Sequence, residues 1–168
     1  VQGVPKDITS MSITRVSLRL GNYTSGTIHV SIHKPSGNGD IEPMQNAIGS
    51  AVPIDAGSLP NGMNWYDVEF SDVTLTELQA GFVIVAKGLS NNAAFIQYHN
   101  DRQAPADTTV MLYSSDAGAS WNPAANKRDQ NDMLFRAYGE YTTLGTGNVE
   151  TTRYFVVSSR CQLQVGSD

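Results

Sequence analysis

Apolar and polar residues alternate with period two along most of this chain, the spacing of strands with one face buried. In Thr27-Ile28-His29-Val30-Ser31-Ile32-His33 the residues Ile28, Val30 and Ile32 share one face. Trp65-Tyr66-Asp67-Val68-Glu69-Phe70 places Tyr66, Val68 and Phe70 together, and Val16-Ser17-Leu18-Arg19-Leu20 repeats the pattern. Phe82-Val83-Ile84-Val85-Ala86 is apolar throughout, as expected of a central sandwich strand. Phe95 to His99, Val110 to Tyr113 and Met133 to Tyr138 complete the series.

Turn residues separate these runs: Gly21-Asn22, Ser25-Gly26, Pro35 to Asp40, Pro60-Asn61-Gly62, Ser90-Asn91-Asn92 and Asn122-Pro123. Helical signal is confined to Leu75 to Ala80, enough for one turn before Gly81. The pattern predicts an all-β fold, an antiparallel β-sandwich of the jelly-roll type with about eight strands. The segment Ser114-Ser115-Asp116-Ala117-Gly118-Ala119-Ser120-Trp121 reads as a closed hairpin turn. Asp116 can accept loop N–H groups, Gly118 can take positive φ, and Trp121 can pack on the hairpin. With Ser114, these residues resemble the Asp-box of sialidases and several unrelated β proteins, where it is structural. A β-propeller would need the motif at a fixed period, and it occurs once.

A sandwich complete at Tyr138 has no need of further strands. We therefore divide the chain into a sandwich module, residues 1–143, and a strand-rich C-terminal extension, residues 144–168. Arg153 to Val157 and Arg160 to Val165 are the two strand-like runs of the extension. They are expected either as a hairpin on the sheet edge or as an arm that adds strands to a neighbouring subunit.

Composition narrows the function more than the fold. The 168 residues carry 11 Lys and Arg against 16 Asp and Glu, a net charge of −5 without a basic run. Nucleic acid is an unsuitable partner for such a surface. No apolar stretch is long enough for a membrane span, so membrane insertion is not expected. The lone Cys161 has no intrachain disulfide partner and is expected to be buried. The start at Val1 suggests processing or excision from a longer polypeptide.

Taken together, Ile8 to Ile13, Val16 to Leu20, Gly26 to Ile32, Ser58-Leu59-Pro60, Trp65 to Phe70, Val73 to Thr76 and Gly81 to Val85 form an ordered series. Tyr113 to Gly118 and Leu134 to Gly139 close it. The series resembles a choice-of-anchor-type jelly-roll module of bacterial surface and exported proteins and of phage structural proteins. That module is similar to galactose-binding-like and carbohydrate-binding modules. The resemblance covers residues 8–139. It implies a binding or structural role without catalysis, outside the cell: on a cell surface, secreted, or on a virion. Family members carry a further strand before the first one here, and residues 144–168 have no counterpart among them. The expected partners are therefore other subunits of one assembly, reached through residues 144–168, with a glycan as the alternative ligand.

Candidate binding residues come from the same reading. Trp65 falls on the outward face of its strand, where an indole can stack on a sugar ring. Tyr98 and the polar cluster His99-Asn100-Asp101-Arg102 offer hydrogen bonds to hydroxyls, and Trp121 is a second possible platform. His29 and His33 face the same side roughly 13 Å apart, too far to share a metal ion, and are expected to be solvated. Oxygen-rich loops at Asn38-Gly39-Asp40 and Asn126 to Asp132 leave structural calcium possible, but neither has EF-hand spacing, and no cofactor or metal is expected. No nucleophile elbow or other activating context supports an enzyme. Asn22-Tyr23-Thr24 is a glycosylation sequon in letter only.

Overall fold

The computed structural model describes residues 8–21, 26–37, 40–75, 82–88, 95–96, 98–100, 112–113, 122–123, 131–133, 135–144, 150–158 and 161–165. They form an antiparallel two-sheet sandwich. In the larger sheet the order is β13 (Cys161–Val165), β12 (Glu150–Ser158), β11 (Phe135–Leu144), β1 (Ile8–Gly21) and β4 (Asn64–Leu75). The short β6 (Phe95–Ile96) also pairs with β1. The second sheet has the order β3 (Asp40–Asp55), β2 (Thr27–Gly37) and β5 (Val83–Gly88). Two small pairs accompany them: β7 (Tyr98–Asn100) with β10 (Asn131–Met133), and β8 (Leu112–Tyr113) with β9 (Asn122–Pro123). The winding that would make this a jelly roll runs through residues 76–134, much of which lies outside the described residues.

The period-two pattern puts the core where alternation demands. Val16, Leu18 and Leu20 of β1, Val68 and Phe70 of β4, and Ile28, Val30 and Ile32 of β2 join one buried cluster between the sheets. Ile13, Ile54, Ala137 and Tyr141 extend it.

Register shifts occur twice along β1, between Ile8 and Ser10 and between Ile13 and Arg15, and the second falls at the same level of the sheet as a break along β4. Ile13 faces Val73, and Arg15 faces Glu69, so one residue of β1 opposes three of β4. A matching irregularity separates Ile13 from Arg15 against β11. This bulge resets the alternation, so Met11 and Ile13 point inward on one side of it and Val16, Leu18 and Leu20 on the other. On β4 the inward set likewise moves from Val68 and Phe70 to Val73 and Leu75. Both steps are visible in the sequence as two successive polar residues, Thr14-Arg15 and Ser71-Asp72.

The same level carries a tie between the sheets. Strand β3 bulges at Gly49 to Ala51, since Val30 faces Val52 while Ile32 faces Ile48. There the Ser50 backbone N–H and its Oγ both donate to Asp72 Oδ2 at 3.0 Å. The bulge of β4 thus supplies the carboxylate that holds the corner of β3.

Two expectations change. The apolar run at Val83 to Ala86 is the end strand of its sheet among the described strands. Its residues are half-buried on both faces, so the run reflects cover on both sides and not a central place. Leu75 belongs to β4, while the rest of the expected helical turn lies outside the described residues. A 3-10 turn occurs at Ala56–Ser58, where Asp55 caps it by accepting from the Gly57 N–H at 2.9 Å. The Pro60-Asn61-Gly62 turn is formed, with Gly62 at a φ of 81° that a side chain would oppose.

Residues 150–158 run antiparallel along β11, from Leu144 opposite Glu150 to Arg136 opposite Ser158. β13 then pairs with β12 through Phe155, Val156 and Ser158. In this chain the extension is a hairpin on the sheet edge. Cys161 opens β13 opposite Ser158.

Candidate functional site

The outward face of the larger sheet gathers the densest set of interacting polar and aromatic side chains among the described residues. Alternation alone assigns its members. With Val16, Leu18 and Leu20 inward, Arg15, Ser17 and Arg19 of β1 point out, as do Trp65, Asp67 and Glu69 of β4. On β11, buried Ala137, Gly139 and Tyr141 leave Arg136, Tyr138 and Glu140 outward. Register then sets the rows. Arg19 lies opposite Trp65, Ser17 between Asp67 and Arg136, and Arg15 between Glu69 and Tyr138.

Trp65 is 38% exposed. Its ring has the Arg136 guanidinium 4.4 Å from the centroid and that of Arg19 at 5.7 Å. Arg15 stacks over Tyr138 at 4.0 Å while its Nη1 donates to Asp67 Oδ2 at 3.4 Å. Asp67 also accepts from Ser17 Oγ. Each stacked guanidinium contributes about 0.5–1 kcal/mol at such an exposed site, and the Arg15–Asp67 pair about 0–1 kcal/mol. Arg15 Nε is buried without a hydrogen-bond partner, a cost that offsets part of this gain. The main effect is geometric: three planar cations are held in place before any partner arrives.

Trp65 is thus outward and partly exposed, as the alternation requires. Its ring is shared with two guanidinium groups, which leaves less of it open to a sugar. Tyr98, His99 and Asn100 form β7, with His99 opposite Asp132 of β10. Asp101, Arg102, Ser114, Asp116, Gly118 and Trp121 lie outside the described residues. The strands either side of the Ser114 to Trp121 motif do meet, with Tyr113 opposite Asn122 and Leu112 opposite Pro123.

The second sheet corrects one expectation. His33 is only 9% exposed and Ser31 7%, although both sit on the face of β2 turned away from the core. Ser31 Oγ and His33 Nε2 are 2.8 Å apart. At these two residues the outer face of the sheet is therefore covered, and His33 is not a solvated histidine; His29 is half-buried. Alternation along β2 tells which face a residue takes and carries no record of what covers that face. A serine beside a histidine has the chemistry of a nucleophile and its base, but burial to this degree closes it to substrate. Nearby, Lys34, Gln45, Asn46, Ala47 and Ile48 line a shallow, open depression.

Among the described residues no three His, Cys, Asp or Glu side chains come together to hold a metal ion. No helix among them is long and apolar enough to cross a membrane. Neither family models, curated proteins nor solved structures yield a match to this chain.

Proposed function

We propose that the chain is a non-catalytic structural or adhesive module of a larger extracellular assembly, such as a virion or a cell-surface appendage. It works by holding neighbours and presenting a surface. One observation carries this reading. Alternate residues of a strand face opposite sides of a sheet, yet Thr151, Thr152, Arg153 and Tyr154 of β12 are all exposed. Among the described pairings this half of β12 lies beside β11 alone, short of β13, and it covers no core on either face. Tyr154, at 68%, is the most exposed of the large apolar side chains described. A strand wet on both faces does little for its own fold and suits a contact with a neighbour. The resemblance to surface and phage structural modules supports the same reading.

Light scattering of the native protein over a range of concentrations tests it. The expected result is a mass above that of one chain that grows with concentration. A chain ended after Leu144 is expected to associate more weakly than the full chain. If full-length and shortened chains have the same mass, the extension is not an assembly element.

The partly open indole of Trp65, with the Arg19 and Arg136 guanidinium groups on its ring and the Asp67 carboxylate at the next outward position of β4, favours a second reading as a carbohydrate-binding module. Tyr98 to Arg102 and Trp121 are the other residues that this reading would enlist. This reading expects glycan retention that Trp65→Ala abolishes with the fold intact, and a glycan array blank for the native protein removes it.

A further inference from the structure

The outward positions of β11 run Arg136, Tyr138, Glu140: a cation, an aromatic ring and an anion in succession. Their neighbours are sorted the same way along the strands. Arg19 and Trp65 lie at the Arg136 end, and Tyr154, directly opposite Glu140 on β12, lies at the other. Between them Arg15 and Asp67 neutralise each other. The described side chains of this face include three arginines (Arg15, Arg19, Arg136) and three carboxylates (Asp67, Glu69, Glu140), charges that balance in number but are sorted along its length.

Such a face is complementary to itself after a half-turn. A two-fold axis in the plane of the contact, across the strands beside Tyr138, carries the basic end of one copy onto the acidic end of another. Isologous pairing of this kind is the commonest form of homo-oligomer. We propose that the outer face of the larger sheet docks on the same face of a second copy of this chain, Arg136 of each meeting Glu140 of the other across paired Tyr138 rings. The inference rests on the assembly reading above and assigns it a surface.

Three further observations favour this occupant. Trp, Tyr and Arg dominate the binding energy of protein interfaces, and they are the large side chains here. Arg136 is exposed, stacked on Trp65, and paired with no carboxylate among the described residues, so its N–H edge is ordered in advance for a carboxylate. Arg136 and Glu140 of one copy stand four residues apart on β11, roughly 13 Å, and cannot satisfy each other. The area also suffices. Strands of 14, 12, 10 and 9 residues make a face on the order of 700 Å², close to the roughly 800 Å² per partner of a stable interface.

Charge reversal tests the pairing by sedimentation velocity. In Arg136→Glu the contact sets Glu against Glu, and in Glu140→Arg it sets Arg against Arg. Each variant alone is expected to self-associate at least ~10-fold more weakly than the native chain. Mixed in equal amounts, the two variants again unite opposite charges at both contacts, and the mass of the dimer returns. Circular dichroism identical to the native chain establishes that both variants fold. Should either fail to, Arg136→Gln and Glu140→Gln remove the charges with little change of shape and are expected to weaken association in the same direction. Native-like association in both variants, or a mixture that stays monomeric, overturns the pairing and leaves the assembly reading intact. A native chain that is monomeric at every concentration removes both.

Discussion

Replacing Gly49 with alanine is expected to destabilise the sandwich by about 3 kcal/mol, read as a fall in the urea midpoint at unchanged slope. Two costs add. Gly49 holds a φ of 70°, which a residue with a Cβ rarely adopts. A Cβ there would also sit 2.6 Å from Asp72 Oδ1 and 2.9 Å from the Asp72 carbonyl oxygen. The carboxylate can rotate away only by giving up Ser50, and the carbonyl belongs to the β4 backbone. The corner of β3 would have to lift off β4. Asp72→Ala alone removes the two bonds from Ser50 at a cost of about 1–2 kcal/mol. Combined, the two substitutions should cost less than their sum, because the nearest clashing atoms are gone. A Gly49→Ala midpoint indistinguishable from the native one would mean that this corner does not tie the sheets together.

Leu18→Ala is expected to cost about 3–5 kcal/mol in the same measurement. Leu18 of β1 is 0% exposed, opposite Tyr66 on one side and Phe135 on the other. Removing its isobutyl group leaves a cavity walled by strands on both sides, which a sheet held by its ladders collapses into poorly. Leu144→Ala is the control. That leucine is among the exposed large side chains, and its loss is expected to change stability by less than about 0.5 kcal/mol. Equal losses at the two positions would contradict the placement of the core.

Much of the core was legible in the sequence because a strand's faces alternate strictly, so local order decides which residues travel together. Ile28, Val30 and Ile32 needed no tertiary information to be grouped, and all three are buried. Even the bulge left a local trace in Thr14-Arg15 and Ser71-Asp72. What alternation lacks is the identity of the neighbour. It placed Trp65 on the outward face but could not show Arg136, 71 residues away in sequence, lying on its ring. It assigned His33 correctly to the face away from the core, yet gave water as its surroundings when that face is covered. The run at Val83 to Ala86 shows the same limit, since an apolar stretch records cover on both faces and not a place in the sheet order.

Local chemistry along the chain set the class of the fold, the strand pattern and the members of each face, because backbone sterics and the burial of alternate side chains act over a few residues. It also set a weakly acidic surface. Folding in three dimensions was needed to lay β12 and β13 on the edge of their own sheet and to hold the corner of β3 on Asp72. It also brought three arginines, a tryptophan and a tyrosine onto one solvent face in an order that can meet its own copy. Those outcomes depend on which strands become neighbours. That is settled by packing and hydrogen bonding between segments far apart in the chain, and no periodicity within a segment records it.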